Sequence, residues 1–150
     1  MVAESWRSNL VEDEAGVAEI VRSSRRIAVL GIKTEAQADQ PAFYVARFLQ
    51  QQGLSVVPVP VYYPEVRDIL GQPVFRSLSR VPGPIDLVDV FRLPRDIPVH
   101  LDDIEQKRPR AVWFQLGIRN DAAAERLAKV GIRVVQDRCL MVDWRRYGTT

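Results

Sequence analysis

The side chains in this sequence that can do chemistry are few, and most lie just after apolar runs. The run Arg26-Ile27-Ala28-Val29-Leu30 closes on Gly31; Ile32, Lys33 and Thr34 follow, and Pro41-Ala42 opens the next segment. A buried strand that ends on glycine and hands a polar loop to a helix N-terminus is how α/β folds build phosphate sites. Backbone N–H groups and the positive end of the helix dipole both favour an anion there. Lys33 and Thr34 can add side-chain contacts. Arg92, after the apolar run 85–91, can add a second cation. Arginine brings a planar fork of donors, and lysine a point charge. Plainer roles compete at this stage: an ion pair of Arg92 with Asp89 or Asp96, and simple solvation for Lys33.

Two familiar nucleotide signatures are missing. After Gly31 the chain reads Ile32-Lys33-Thr34-Glu35-Ala36, which is not the G-x-G-x-x-G of dinucleotide sites. The second apolar run ends Val57-Pro58-Val59-Pro60, where an NAD site wants a carboxylate for the ribose hydroxyls. The Walker lysine pattern is absent as well. Pro58, Val59 and Pro60 offer instead an apolar edge that suits a purine ring or a plain chain reversal. Catalytic groups are scarce. His100 is the only histidine and reads as a surface or helix-terminal residue; Cys139 is the only cysteine and reads as a small buried one. Gln115 and Asn120, near strand and helix ends, can meet a ligand or merely cap backbone, and Trp113 reads as core.

The elements that position these residues alternate. A helix is predicted over 9–22, capped by Asn9 with Glu12 as capping-box partner, packing on the rest of the domain (23–150). Strands are predicted at Arg26–Leu30, Ser55–Val59, 85–91, 111–116 and 132–135. Their near-continuous apolar character marks strands buried on both faces. Helices are predicted from Pro41 to a C-terminal Gly53, within 98–107, over 121–130 behind an Asn120 cap, and over 140–147. The irregular stretch 61–84 has room for one short helix. The pattern implies an α/β Rossmann-like, doubly wound parallel sheet of about five strands with helices on both faces.

Bulk properties narrow the class. At 150 residues one domain is the default, and such a chain buries enough surface to fold without crosslinks. The balance of 21 Lys+Arg against 19 Asp+Glu, with no basic block among aromatics, does not favour nucleic acid. A lone cysteine excludes a disulfide framework and a zinc set. No apolar run approaches the length of a membrane span and no signal-peptide core is visible, so a cytoplasmic protein with no membrane partner is expected.

Several segments carry a family likeness: Ile27-Ala28-Val29-Leu30-Gly31, Val57-Pro58-Val59, Asp89-Val90-Phe91-Arg92, Trp113-Phe114-Gln115-Leu116-Gly117 and Asp137-Arg138-Cys139. In this order and at these separations they resemble the small stand-alone CoA-binding proteins of bacteria and archaea. The Rossmann-like domain of those proteins is similar to the N-terminal domain of the succinyl-CoA synthetase α subunit. The resemblance implies coenzyme A or an acyl-CoA as ligand, held across the strand ends without catalysis. It implies phosphates at Gly31, Ile32, Lys33 and Thr34 and at the helix start Pro41-Ala42. It sets adenosine against Val59 and Pro60, and pantetheine between Phe91-Arg92 and Gln115-Leu116-Gly117. It also allows a homo-oligomer or an acyl-CoA enzyme as protein partner. The chain departs from relatives at Gln40-Pro41-Ala42, where Arg-Pro-Ser is usual, and at Pro60-Val61, where Asn-Pro is common. No segment of the sequence resembles the synthetase's phosphohistidine domain, so its ligase chemistry is not expected here. Two other readings stay open: an NAD(P)-dependent oxidoreductase on the same fold, and a ligand-free protein-interaction domain.

Overall fold

The computed structural model describes residues 2–148. Its centre is a sheet of five parallel strands. These are β1 (Arg26–Leu30), β2 (Ser55–Val59), β5 (Leu87–Val90), β6 (Ala111–Phe114) and β7 (Arg133–Val135), in the order β2-β1-β5-β6-β7. All five are almost wholly buried, as their apolar sequences demand. Strand alternation then sorts the core into two. Ile27, Val29, Leu87 and Trp113 face one layer; Ala28, Leu30, Val88 and Phe114 face the other.

The first layer is covered by α1 (Glu14–Ser23), α2 (Pro41–Gln51) and α5 (Leu140–Tyr147). The second is covered by α3 (Leu101–Lys107) and α4 (Asp121–Lys129). The doubly wound Rossmann-like architecture is therefore as expected. Among the described residues no helix is long and apolar enough to cross a membrane.

Four stretches differ from the sequence reading. The fourth strand, expected over 111–116, ends at Phe114 and leaves Gln115 and Leu116 in the loop beyond. The other three differ as follows. The first helix begins at Glu14, because Asp13 and not Asn9 caps it: the Asp13 carboxylate accepts from Gly16 N–H at 3.3 Å. Asn9 instead ends a 3-10 helix (Val2–Asn9) and donates to Ala128 O. Between the two helices Leu10 bridges Val134 and Val11 N–H donates to Val134 O, so the segment covers the β7 edge. The stretch 61–84 holds, besides a 3-10 turn at Leu78–Arg80, a two-stranded hairpin, β3 (Asp68–Ile69) and β4 (Gln72–Pro73). The third apolar run pairs only over Leu87–Val90, which leaves Phe91 and Arg92 in the loop beyond.

The order reverses between β1 and β5. From β1 the chain crosses by α2 to β2 on one side; from β5 it crosses by α3 to β6 on the other. Gly31 and Phe91 leave the sheet at this switch point. Gly31 has φ +86°, and a Cβ there would lie 2.3 Å from Phe91 O. Gly117 also has positive φ (+85°), but a Cβ on it would meet open space.

One buried group conflicts with its surroundings. Asp89, on β5 between Val29 and Trp113, is fully buried, and neither carboxyl oxygen has a hydrogen-bond partner among the described residues. Burial raises its pKa well above the ordinary value and favours the neutral acid.

Two outcomes follow for stability. Gly31→Ala, which combines backbone strain with a clash, should cost about 2–4 kcal/mol in denaturant unfolding, while Gly117→Ala, with strain alone, should cost about 1–2. Equal losses would contradict the close approach. For Asp89 the native state holds its proton above the ordinary pKa, so the carboxyl's contribution to stability is lost as pH rises from about 4. Asp89→Asn should remove that loss, and its Tm relative to the native sequence should climb between pH 4 and 8.

Candidate functional site

At the switch point the loops after β1, β2, β5, β6 and β7 enclose an open cleft of about 490 Å³. Gly31 forms part of its floor. Its N–H donates to Val59 O, and Phe91 N–H donates to Leu30 O, so the two loops leave the sheet locked to their neighbours. On one wall Lys33 and the start of α2 face the cleft. Gln40, the α2 cap residue, makes no side-chain cap bond, and Pro41 at the first turn has no N–H to satisfy. The positive end of α2 is therefore not neutralised by its own cap. The Lys33 ammonium is hydrogen-bonded to the Gln40 carboxamide oxygen beside it.

Arg92 stands on the β5 side. Its Nε donates to His100 Nε2 at 3.1 Å, one terminal nitrogen reaches Tyr62 Oη at 3.4 Å, and the other lies 4.0 Å from Asp96. The guanidinium carbon sits 5.5 Å from the Tyr62 ring centre. Four contacts thus fix the guanidinium, yet the single ion pair is long, so most of its charge is unspent. The pairing with Asp96 and the place in the cleft coexist; Asp89 is not a partner. His100 is half-buried and accepts at Nε2, which requires the unprotonated ring. Burial, and then the charge of Arg92, hold its pKa below the ordinary 6.5.

Of the residues the sequence marked, Gly31, Lys33, Pro41, Ala42, Phe91, Arg92 and Gln115 line this one cleft. Five others lie elsewhere for definable reasons. Ile32 and Val59 are buried in the core, and Pro60 is buried as well. Thr34 caps the 3-10 turn Glu35–Gln37 in a capping box with Gln37, which occupies its hydroxyl. Gly117 donates its N–H to Asp137 Oδ1 at 2.7 Å and does not line the cleft, although its neighbours Leu116 and Ile118 do. Gln115 does both jobs considered for it: its carboxamide oxygen accepts from Leu140 N–H, capping α5, while the residue lines the cleft.

The sequence reading missed the aromatic wall. Tyr62 and Tyr63, not Val59 and Pro60, border the cleft beyond β2, packed edge to face at 6.3 Å. Arg76 shapes their loop by donating to Tyr62 O, Tyr63 O and Val66 O. The paired aromatics just past a strand end were the available signal. Cys139 is half-buried, packing against the core and lining the cleft; among the described residues no base is hydrogen-bonded to its thiol. A second hollow, of about 420 Å³, lies beside β7. There Arg119 pairs with Glu12 and Asp121, Arg138 with Glu14 and Asp143, and Arg7 lies over the Trp6 ring, so its lining arginines are already engaged.

Fold and cleft together define a doubly wound α/β protein with an anion-favouring site at its switch point. The model of the CoA-binding domain family matches residues 25–145, and the chain belongs to that family. It is 31% identical over 129 residues to the uncharacterised protein YneT of Bacillus subtilis, covering 86% of this chain and 92% of that one. The solved structure of cell-free ID.343 from Thermus thermophilus matches with a TM-score of 0.82 at 36% identity, over 91% of this chain and 99% of that one. A hypothetical protein from Pyrococcus horikoshii matches with a TM-score of 0.80 at 26% identity, over 91% and 92% of the respective chains.

The His100–Arg92 contact makes a pH prediction. A folded-state pKa below 6.5 means that the native state resists protonation, so this stability is complete above about pH 6.5 and is lost as pH falls through that value. Glutamine can accept the same bond without titrating. The Tm of the native sequence should therefore fall relative to His100→Gln between pH 7 and pH 5; parallel curves would remove the contact.

Proposed function

We propose that this protein binds coenzyme A or an acyl-CoA in the switch-point cleft, without catalysis of its own. The observation that carries the reading is the order of chemistry along the strand ends. By strand of origin, from β2 to β6, the cleft is lined by Tyr62 and Tyr63, then Lys33 with the α2 N-terminus, then Arg92, on which Tyr62 leans, then the uncharged Gln115 and Leu116. Coenzyme A presents a purine, a diphosphate and an uncharged pantetheine in the same order. Aromatic faces suit the purine, and a helix N-terminus with two cations suits the diphosphate. Membership of the CoA-binding domain family supports the same ligand.

The reactive groups around the cleft are engaged with one another, which supports binding without catalysis. His100 holds Arg92, Asp96 faces Arg92, and the Lys33 ammonium is bonded to Gln40. No triad or paired carboxylate is set across the cleft among the described residues. The missing dinucleotide fingerprint and the proline at the end of β2 argue against a nicotinamide cofactor. A cytoplasmic setting, with a homo-oligomer or an acyl-CoA enzyme as protein partner, belongs to the same reading.

A thermal-shift series with CoA, acetyl-CoA, NAD, NADP and ATP at matched millimolar concentrations tests it. A ligand at 100 times its Kd stabilises by about 2.7 kcal/mol, a shift of several degrees. The CoA species should shift Tm and the nicotinamide nucleotides should not. Arg92→Ala and Lys33→Ala should each weaken CoA by about 1.5–3 kcal/mol in calorimetric titration. A shift with NAD or NADP alone would replace this reading with hydride chemistry. No shift with any nucleotide, together with a co-purifying protein, would replace it with protein binding.

A further inference from the structure

We propose that the β6 end of the cleft is an acyl shelf, so that the protein binds acyl-CoA with an apolar acyl group in preference to free CoA. The inference rests on the CoA reading above and adds the class of thioester. Six large apolar side chains are exposed among the described residues; Tyr62 borders the β2 end of this cleft, and two others, Leu93 and Leu116, stand together on its β5–β6 side. Leu93 is 48% exposed and Leu116 67%. Scattered exposed leucines are ordinary; a cluster at the mouth of a ligand cleft marks a surface that something apolar covers.

What covers it follows from position and charge. Leu93 follows β5, while Leu116 and Ile118 follow β6, beyond the cations in the strand order β2-β1-β5-β6-β7. A CoA laid with its diphosphate at Lys33 and Arg92 and its purine on the tyrosines directs its sulfur toward that end. The charged residues lining the cleft are Lys33, Arg92 and Asp96. The two cations belong to the phosphate end, and Asp96 lies against Arg92. At the sulfur end Gln115, Leu116, Ile118 and Cys139 carry no cation for a second carboxylate. An alkyl acyl group fits there; a dicarboxylic one such as succinyl finds no partner.

Calorimetric titration with CoA and with acetyl-, butanoyl-, octanoyl- and succinyl-CoA, below micellar concentrations, tests the shelf on the full chain and on Leu93→Ser/Leu116→Ser. Contact on one side of the chain is worth about twofold in affinity per methylene, half the free energy of full burial. Octanoyl-CoA should then bind about 60-fold tighter than acetyl-CoA, and succinyl-CoA no tighter than acetyl-CoA. The quantity compared is the ratio of octanoyl- to acetyl-CoA affinity within each protein, and in the double variant it should fall toward one. Equal affinity for all thioesters, a preference for succinyl-CoA, or an undiminished ratio in the variant would each overturn the shelf while leaving CoA binding in place. Failure of every CoA species to bind would overturn the underlying reading and the shelf with it.

Discussion

The site depends on one close approach. β1 and β5 are hydrogen-bonded neighbours, and at their ends the backbone of Gly31 passes so near the carbonyl of Phe91 that no side chain fits between them. A glycine there lets the chain take φ +86° and leave the sheet at once toward Lys33 and α2, while the β5 chain leaves toward Arg92. The two cations are thereby set on opposite sides of one cleft. A Cβ there would clash with the Phe91 carbonyl and crowd the Arg92 side chain, so the two loops would have to shift relative to one another.

Around that approach the loops satisfy their own polar groups. Lys33 N–H donates to Ala42 O, Thr34 closes a capping box, Gly117 is held by Asp137, and Asn120 donates to Pro94 O. Buried backbone groups must be paired somewhere, and here the loops pair with one another. On the proposed reading, recognition is consequently left to side chains and to the α2 N-terminus. The site resembles a rigid trough with a few fixed charges more than a glycine-rich nest that wraps phosphate with backbone donors. Arg92 shows the principle: His100, Tyr62 and Asp96 hold it in place, so little of its conformational freedom is left to lose on meeting an anion.

The sheet was largely legible because both of its faces are buried. Apolar runs such as Ile27 to Leu30 and Val56 to Val59 are short and rich in β-branched residues, which marks buried strands, and the glycine and proline that follow set the ends. Gly31, Lys33 and Arg92 were legible for a related reason, since ligand sites in such folds lie at strand ends. The misses are nonlocal. Whether Asn9 or Asp13 caps the first helix turned on Asn9 having another partner, Ala128 O, 119 residues away. Tyr62 and Tyr63 face the cleft because Arg76 folds their loop, and His100 matters because Arg92 reaches it; neither contact leaves a periodic trace. Thr34, expected at the phosphates, and Gly117, expected beside the pantetheine, were instead drawn into a local cap and a local turn, a competition that spacing alone does not reveal.

The most direct test of the account is a crystal structure of the complex with coenzyme A. The account predicts the diphosphate between the α2 N-terminus and Arg92, the adenine against Tyr62 or Tyr63, and the sulfur beside Leu116. A ligand seated instead in the hollow beside β7, among the paired Arg119 and Arg138, would contradict it. So would a CoA running the opposite way along the strand ends.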